Sequence, residues 1–351
     1  MSTETDGRGG SDEKSRRAAN IFDVARLAGV SHQTVSRVLN DLPNVRTATR
    51  LRVEQAIAQL RYSPSPAARA LVTRRTRTIG LIVPGTSDYG PNSTALHFNF
   101  AARAARFSVD TVSALDADPV GIRAAIDSLL RQRVDAIVLV VTDVSVLETV
   151  LGLDMSVPLV AVAASARPSS ALVSFDQYRG ARAAVRHLIE LGHTRILHVA
   201  GPAEAPDAIE RMRGWRDELA TNRLAIAEVM HADWTAADGY QVGTDLAAAV
   251  PGTAIFAAND HIALGIVSAL TNRGMRVPDD VSIVGFGDVP EAGYLAPPLT
   301  TVRQDYAALG GLIMQKVLIA IEEPDAASVS TPLATHLVVR ASTAPPNATA
   351  R

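Results

Sequence analysis

Residues 22–40 read FDVARLAGVSHQTVSRVLN, and this run constrains the chain more than any other. Val24, Ala25 and Ala28 recur at helical spacing, Gly29 interrupts the pattern, and Val35, Val38 and Leu39 form a second stripe at i, i+3 and i+4. Two short amphipathic helices joined at a glycine make a helix-turn-helix. Ser31 suits the N-cap of the second helix, because its hydroxyl can accept from an orphan N–H of the first turn. His32, Gln33, Ser36, Arg37 and Asn40 are left on the outer face. Side chains of these types hydrogen-bond base edges or phosphates; glutamine pairs bidentately with adenine and arginine with guanine. On periodicity alone a merely solvated face is the commoner outcome, since glycine-joined helix pairs occur in many folds.

Charge is divided unevenly along the chain. The net charge of the 351 residues is −2, but residues 1–80 carry a balance of +7 and the remainder −9. A basic end on an acidic body fits contact with phosphates at that end only. The length leaves room for two or three domains, built mainly from Ala, Val, Leu and Ile because aromatics are only 4% of the chain. No run of about 18 uncharged apolar residues occurs, so no membrane helix is expected. The polar first residues (1–18) lack the apolar core of a signal peptide and read as a disordered tail. There are no cysteines, which excludes disulfides and thiol catalysis and fits a cytoplasmic protein.

Residues 47–60 predict a third helix with Leu51, Ala56, Ile57 and Leu60 inward. Pro66 can open a short helix near residues 66–72, where its missing N–H costs nothing. Arg74, Arg75 and Arg77 follow; they suit either phosphate contacts or simple solvation of a linker. From Thr78 short apolar runs alternate with amphipathic helices. TIGLIVP, SVDTVSAL, VDAIVLVV and PLVAVAA read as buried parallel strands, with helices at residues 95–106, 119–133 and 143–152. A second series, ALVSF, RILHVAG, AEVMH, TAIFAAN and VSIVGFG, alternates with helices starting near Tyr178, Asp207, Ala236, Asp260 and Asp305, before a returning strand THLVVR. Two successive β-α series predict an α/β protein with two doubly wound parallel-sheet lobes. Ligands of such sheets bind outside the carboxyl ends of the strands.

The run DVARLAGVSHQTVSRVLN resembles the headpiece of the lac repressor family (LacI/GalR regulators). HLIELGHTRILHVAGP, AANDHIALG, MRVPDDVSIVGFGD and PPLTTVRQDYAALG resemble the same family's body, so the likeness spans residues 20–342. The resemblance implies a helix-turn-helix headpiece (19–64), a hinge helix and linker (65–77) and a periplasmic-binding-protein-like body (78–341). It divides that body into one lobe at about 78–174 with 304–329 and another at about 175–303 with 330–341, and leaves a tail at 342–351. It implies a repressor acting as a homodimer on a pseudopalindromic DNA operator, controlled by a sugar or sugar derivative held between the lobes. Ser31, His32, Gln33, Thr34, Ser36, Arg37 and Asn40 would contact DNA, and Leu71 would wedge into the minor groove. Packing of Leu71 against the body is the alternative, and Pro66 stands where the family has valine or a similar residue. Phe175, Arg211, Trp234, Asn259, Asp288 and Tyr306 would contact the effector. Asn259 or Asp260 also suits the cap of the helix that follows, so that one can do each job.

Three departures bear on the effector. Gly287 replaces the first of two adjacent acids, Ala163 stands where aspartate is found in the family, and Pro84 replaces a small hydroxyl residue. Hydroxyl recognition depends on such partners, so a plain galactoside is not expected; Arg211 would suit a sugar acid or phosphate. Rival functions are weaker. No dinucleotide-binding glycine motif, Ser-His-Asp set, zinc spacing or phosphate loop is in place for an enzyme, so no cofactor or metal is expected. A solute-binding protein would not carry the headpiece. The tail after Arg340 lacks leucine heptads, so a dimer is expected rather than a tetramer.

Overall fold

The structure is a computed structural model and describes residues 19–39, 42–62, 75–114, 118–153, 155–165, 169, 171–246, 253–323 and 331–347. The chain divides into two compact units, one up to Thr76 and one from Arg77.

The described residues of the first unit form three helices. In α1 (Ile21–Ala28) the Asn20 side chain accepts from the amides of Phe22 and Asp23, and the Asp23 carboxylate accepts from the Asn20 amide at 3.0 Å. This capping box satisfies orphan donors at both ends of the exchange. Gly29 closes α1 at φ 64°, a left-handed conformation that glycine adopts without a Cβ penalty. Ser31 then caps α2 (His32–Leu39) by accepting from the Thr34 amide at 3.2 Å. Val24, Ala25, Ala28, Val35 and Val38 meet Val53 and Ala56 of α3 (Thr47–Leu60) in one small core. The inward placement of Leu51 is corrected: it is 53% exposed, and Val53 is fully buried. At about 100° per residue, two positions put Leu51 on the opposite side of α3 from Val53.

The second unit carries two sheets. The first has the order β2-β1-β3-β4-β5, all parallel, from β1 (Thr78–Pro84), β2 (Ser108–Ala114), β3 (Ala136–Val140), β4 (Leu159–Val162) and β5 (Leu172–Val173). Helix α4 (Tyr89–Ala104) packs against one face and α5 (Pro119–Arg131) with α6 (Val144–Leu151) against the other. Because both faces are covered, β1 and β3 are near-continuous apolar runs. Helix α4 begins six residues before the expected start; Pro91 sits in its first turn, where no intrahelical N–H bond is lost. The run ALVSF, expected to open the second series, instead pairs through β5 with β4 and closes the first sheet.

The second sheet has the order β11-β10-β9-β8-β6-β7. Its strands are β6 (Ile196–Ala200), β7 (Met230–His231), β8 (Ala254–Ala257), β9 (Ser282–Gly287), β10 (Thr300–Arg303) and β11 (His336–Val338). All pairs are parallel except β10 with β11. Helices α7 (Gln177–Glu190) and α8 (Pro206–Thr221) cover one face, and α9 (Ala236–Leu246) with α10 (Asp260–Asn272) the other. Strand β10 was not expected. Thr300 and Thr301 are fully buried there and satisfied by hydroxyl hydrogen bonds, so no apolar pattern marks the strand.

The chain crosses between the lobes at residues 174–176, at Gln304 and Asp305, and again at 331–335. The first and third crossings pair: the Asp176 amide donates to the Leu333 carbonyl and the Leu333 amide to the Ser174 carbonyl, both at 2.8 Å. After the second crossing, α11 (Tyr306–Glu322) returns to the first lobe and buries Leu309, Ile313 and Val317 there. The tail boundary at 342 is also corrected. Ser342 is fully buried, its hydroxyl donates to the Ile283 carbonyl at 2.6 Å, and the Ala344 amide donates to Ser282 Oγ at 3.0 Å. Hydroxyl-to-backbone bonds anchor the segment to the second sheet, and apolar periodicity does not reveal them.

Two features of the second lobe generate measurable outcomes. His198 on β6 is fully buried, stacked on Phe256 at 4.7 Å, with Nδ1 donating to the Phe256 carbonyl at 2.9 Å. Its Nε2 has no hydrogen-bond partner among the described residues. Burial lowers its pKa to about 4. The unfolded chain therefore binds a proton between about pH 6.5 and 4 that the folded chain refuses, and stability falls as pH drops through that window. Lowering pH from about 7 to 5 should cost the parent protein about 2 kcal/mol more than His198→Phe in urea unfolding. Equal pH slopes would show that His198 is not held neutral.

The second feature is the crossing of α9 and α10. A Cβ on Gly265 would overlap the Ala236 carbonyl oxygen and lie 2.5 Å from the Tyr240 amide nitrogen. Backbone cannot move aside as a side-chain tip can, so Gly265→Ala should destabilise the body by about 1–3 kcal/mol. An unchanged denaturation midpoint would refute that close approach.

Candidate functional site

The outer face of α2 is the first site. His32, Gln33 and Arg37 are exposed, while Thr34 and Ser36 are half-buried. Ser31 Oγ and Thr34 Oγ1 lie 3.0 Å apart, which fixes the start of the helix. The His32 ring leans on exposed Phe22 with centroids 5.2 Å apart, so the first helix braces an outward side chain of the second. The Arg37 guanidinium donates to the Pro43 carbonyl at 2.7 Å. Phe22 was not anticipated as part of this face; an aromatic at the helix start reads in sequence as core. Asn40, Pro66 and Leu71 lie outside the described residues. Arg77 belongs to the second unit, where its guanidinium lies 6.0 Å from the centroid of the Phe107 ring.

The second site is a cavity of about 920 Å³, including the solvent at its mouth, between the two lobes of the body. Its walls come from strand ends, as the topology of open parallel sheets requires. The segments after β3 and β4 supply Val141, Thr142, Ala163 and Ala164; those after β7 and β8 supply Trp234 and Asn259. The crossings supply Ser174, Phe175 and Gln304, and the starts of α4, α7, α8 and α11 supply Tyr89, Gln177, Asp207 and Tyr306.

Of the residues expected here, Phe175, Arg211, Trp234, Asn259 and Tyr306 line the cavity. Tyr306 is buried edge-on to Phe175 at 5.3 Å and to Tyr89 at 5.7 Å, and its hydroxyl donates to Gln304 Oε1 at 3.2 Å. Burial pushes the Tyr306 phenol well above its ordinary range, which keeps it a neutral donor. Trp234 is half-buried against Gly201, where any Cβ would overlap the indole ring. Asn259 performs the capping role: its Oδ1 accepts from the Ile262 amide at 2.7 Å, while its Nδ2 donates to the Trp234 carbonyl at 3.0 Å. It thereby fixes the loop that bears Trp234.

Asp260 is not in the cavity wall. It is buried beneath the wall, accepting from the Thr301 hydroxyl and from the Val289 amide at 2.8 Å. Desolvation raises its carboxyl to about 6, against the pull of those two donors.

Arg211 is fully enclosed and already engaged. Nε donates to Gln177 Oε1 at 2.9 Å, one terminal nitrogen to the Ala258 carbonyl at 2.6 Å, and the other to Asp207 at 3.5 Å. Its guanidinium carbon lies 4.0 Å from the Phe286 ring centroid and 5.5 Å from that of Trp234. Burial lowers its pKa, opposed chiefly by the neighbouring Asp207. Three of the five N–H groups are spent. Arg211 is the only arginine or lysine among the described cavity residues, and Asp88 and Asp207 both line the cavity. The expectation of a free cation for a sugar acid or phosphate is therefore corrected: Asp207 already offsets the charge.

Asp288 is corrected as well. It does not line the cavity. Its carboxylate accepts from Arg303 Nε and from a terminal nitrogen of Arg340, each at 2.6 Å, and its side chain is 6% exposed. Gly287 at φ 127° and Asp288 at φ 53° turn the chain there, so Gly287 reaches the wall and the acid points to the two arginines. Gln177, Asp207 and Gln304 were not anticipated. Each is a polar residue at, or one position from, a strand end or helix start, a position shared by many helix caps.

Among the described residues no group of three or more His, Asp or Glu side chains could hold a metal, and no helix is long and apolar enough to cross a membrane. Residues 20–65 match the model of bacterial regulatory proteins of the lacI family, and residues 185–343 match a periplasmic binding protein-like domain. The lactose operon repressor of Escherichia coli (strain K12) is 32% identical over 94% of this chain and 92% of its own length. A solved lac repressor dimer bound to operator and the anti-inducer ONPF superposes with a TM-score of 0.82 at 30% identity, covering 93% of this chain and 100% of that one. A complex of the transcriptional regulator CelR with cellobiose gives a TM-score of 0.69 at 30% identity, covering 92% and 99%. These relatives are transcriptional regulators rather than enzymes. The chain belongs to the lacI family of bacterial regulatory proteins and is a DNA-binding transcriptional regulator.

Proposed function

We propose that this regulator is a cytoplasmic repressor that binds a pseudopalindromic operator as a homodimer and releases or tightens its grip when an uncharged sugar occupies the interlobe cavity. The observation that carries the proposal is the pairing, in one chain, of a polar helix face and a cavity walled by aromatic rings and amides. A recognition helix enters the major groove with its first residues on base edges. His32 and Gln33 are the residues for sequence choice, Arg37 for a base read more generally, and Ser31, Thr34 and Ser36 for phosphates or base edges. Asn40 extends the face, and Leu71 in the segment 65–77 is the minor-groove wedge; both lie outside the described residues.

Two copies would place two such helices on successive half-sites. The body offers apolar groups for that contact: Leu96 and Phe100 on α4, Val339 after β11, and Tyr294, which is 91% exposed. By linkage, a ligand that changes operator affinity has its own affinity changed by operator to the same factor.

In the cavity, Trp234 offers an aromatic face to the apolar side of a sugar ring. Phe175 would extend that apolar wall, and Arg211, Asn259, Tyr306, Gln304 and Thr142 would serve the hydroxyls. An anionic sugar would meet Asp88 and Asp207 with no free cation to compensate.

A gel-shift assay of purified protein against its own upstream region, at low ionic strength, tests the DNA reading. His32→Ala or Gln33→Ala should cost about 1–3 kcal/mol at a contacted base pair and change the sites chosen from a random library, whereas Arg37→Ala should weaken binding across sequences. No association with any duplex would sink the proposal.

Thermal unfolding with a panel of neutral mono- and disaccharides, uronic acids and sugar phosphates tests the cavity. A neutral sugar at about 100 times its Kd should add about 2.7 kcal/mol of stability. Its acid or phosphate derivative should give less at equal concentration; tighter binding of an anion than of its neutral parent would overturn the assignment.

A further inference from the structure

We propose that Asp207 is an interlobe clasp: its carboxylate holds the cleft closed in the ligand-free chain and is the same group that a ligand hydroxyl reaches. The proposal rests on the cavity being the effector site only for its regulatory consequence; the clasp itself concerns the protein alone.

Asp207 lies in the first turn of α8, on the second lobe. Its Oδ2 accepts from Gln177 Nε2 at 2.7 Å and from Arg211 at 3.5 Å, both on that lobe. Its Oδ1 accepts at 3.3 Å from the amide of Ala164, which follows β4 on the first lobe. One carboxylate therefore ties the two lobes at the cavity wall. A second bond lies beside it: the Val144 amide, in the first turn of α6 on the first lobe, donates to the Glu204 carbonyl at 3.0 Å. Glu204 and Asp207 are three residues apart, so the end of the loop from β6 and the first turn of α8 make the two contacts. First-turn amides have no intrahelical acceptor, and here Val144 finds one on the opposite lobe.

The clasp is open to the cavity. The Asp207 side chain is 40% exposed and lines the wall. An ionised carboxylate offers about four lone-pair sites, and three donors occupy it here. The strand ends that face the cavity carry Ala163, Ala164 and Gly287, so no carboxylate comes from them. A hydroxyl that seeks a charged acceptor near Arg211 meets the same oxygen atoms that hold Ala164. Occupancy and closure are thus coupled through one side chain.

Backbone hydrogen exchange of the full-length, ligand-free protein tests this without DNA or ligand, so its outcome is separable from failure of the operator proposal. In Asp207→Ala the amides of Ala164 and Val144 should exchange about tenfold faster, because the charged acceptor is gone and the neighbouring bond loses its support. Peptides from β1 and β6 should keep their protection. Acrylamide quenching should rise in the same variant: Trp215 is fully buried, so Trp234 is the indole exposed to quencher.

Glu204→Ala is the control. It keeps the backbone carbonyl that Val144 uses and should leave both amides at parental rates. Should Asp207→Ala also lose protection in β1 and β6, Asp207→Asn decides. Its amide nitrogen cannot accept from Gln177 or Arg211, and exchange at Ala164 and Val144 should rise about threefold. Parental exchange rates at both amides in a folded Asp207 variant would overturn the clasp.

Discussion

A guanidinium buried among apolar side chains has to be surrounded by acceptors, and Arg211 organises the upper part of the second lobe by that requirement. Its three hydrogen bonds reach α7 through Gln177, the end of β8 through Ala258, and its own helix through Asp207. Its flat face lies on Phe286 of β9. A single side chain thus indexes two helices and two strands at the point where the cavity forms. Removing one partner of such a charge leaves the other uncompensated, at a cost of about 3–5 kcal/mol. The geometry of the wall is therefore stiff where Arg211 stands, and α8 carries that stiffness to the contact with the first lobe.

The headpiece solves a different problem. It is a small unit whose described residues include a core cluster of seven buried side chains, and burial alone stabilises such a unit weakly. Local hydrogen bonds supply what the core lacks: the Asn20–Asp23 capping box and the left-handed Gly29 bound α1 at its two ends, and the Ser31 cap opens α2. Their positions also free the outer face of α2. None of the side chains of His32, Gln33 or Arg37 is needed to fill the core, so their chemistry can vary with the DNA site while the fold stands.

Much of this was legible in the sequence because it depended on local rules. Gly29 and Ser31 announce a turn and a cap by residue type, and the buried parallel strands announce themselves as continuous apolar runs. What escaped depended on distant partners. Strand β10 carries two buried threonines whose hydroxyls are satisfied by Asp260 and Thr343, residues about 40 positions away. The segment 342–344 reads as tail until Ser282 and Ile283 accept or donate its hydrogen bonds. ALVSF has the same pattern whichever sheet receives it. The exchange of Asp288 for Gly287 at the wall is a one-residue matter of backbone conformation, since two successive residues of positive φ turn the chain so that Gly287 lines the cavity and the Asp288 carboxylate does not.

The site differs from its strand-end plan in where its charge resides. Ala163 and Gly287 stand at strand ends where a carboxylate could have projected into the cavity, and neither offers one. The acids that line the wall, Asp88 and Asp207, sit instead at the starts of α4 and α8. A helix N-terminus favours a negative side chain by its unpaired N–H groups and its dipole, so an acid is easily held in either place. The mechanical consequences differ. A carboxylate at a strand end is fixed to its sheet, whereas one in the first turn of a helix moves with the helix and with the loop before it. Asp207 has that loop in common with Glu204, whose carbonyl meets the other lobe. Moving the acid from the strand end to the helix start therefore makes recognition of a ligand and the contact between lobes properties of the same short segment.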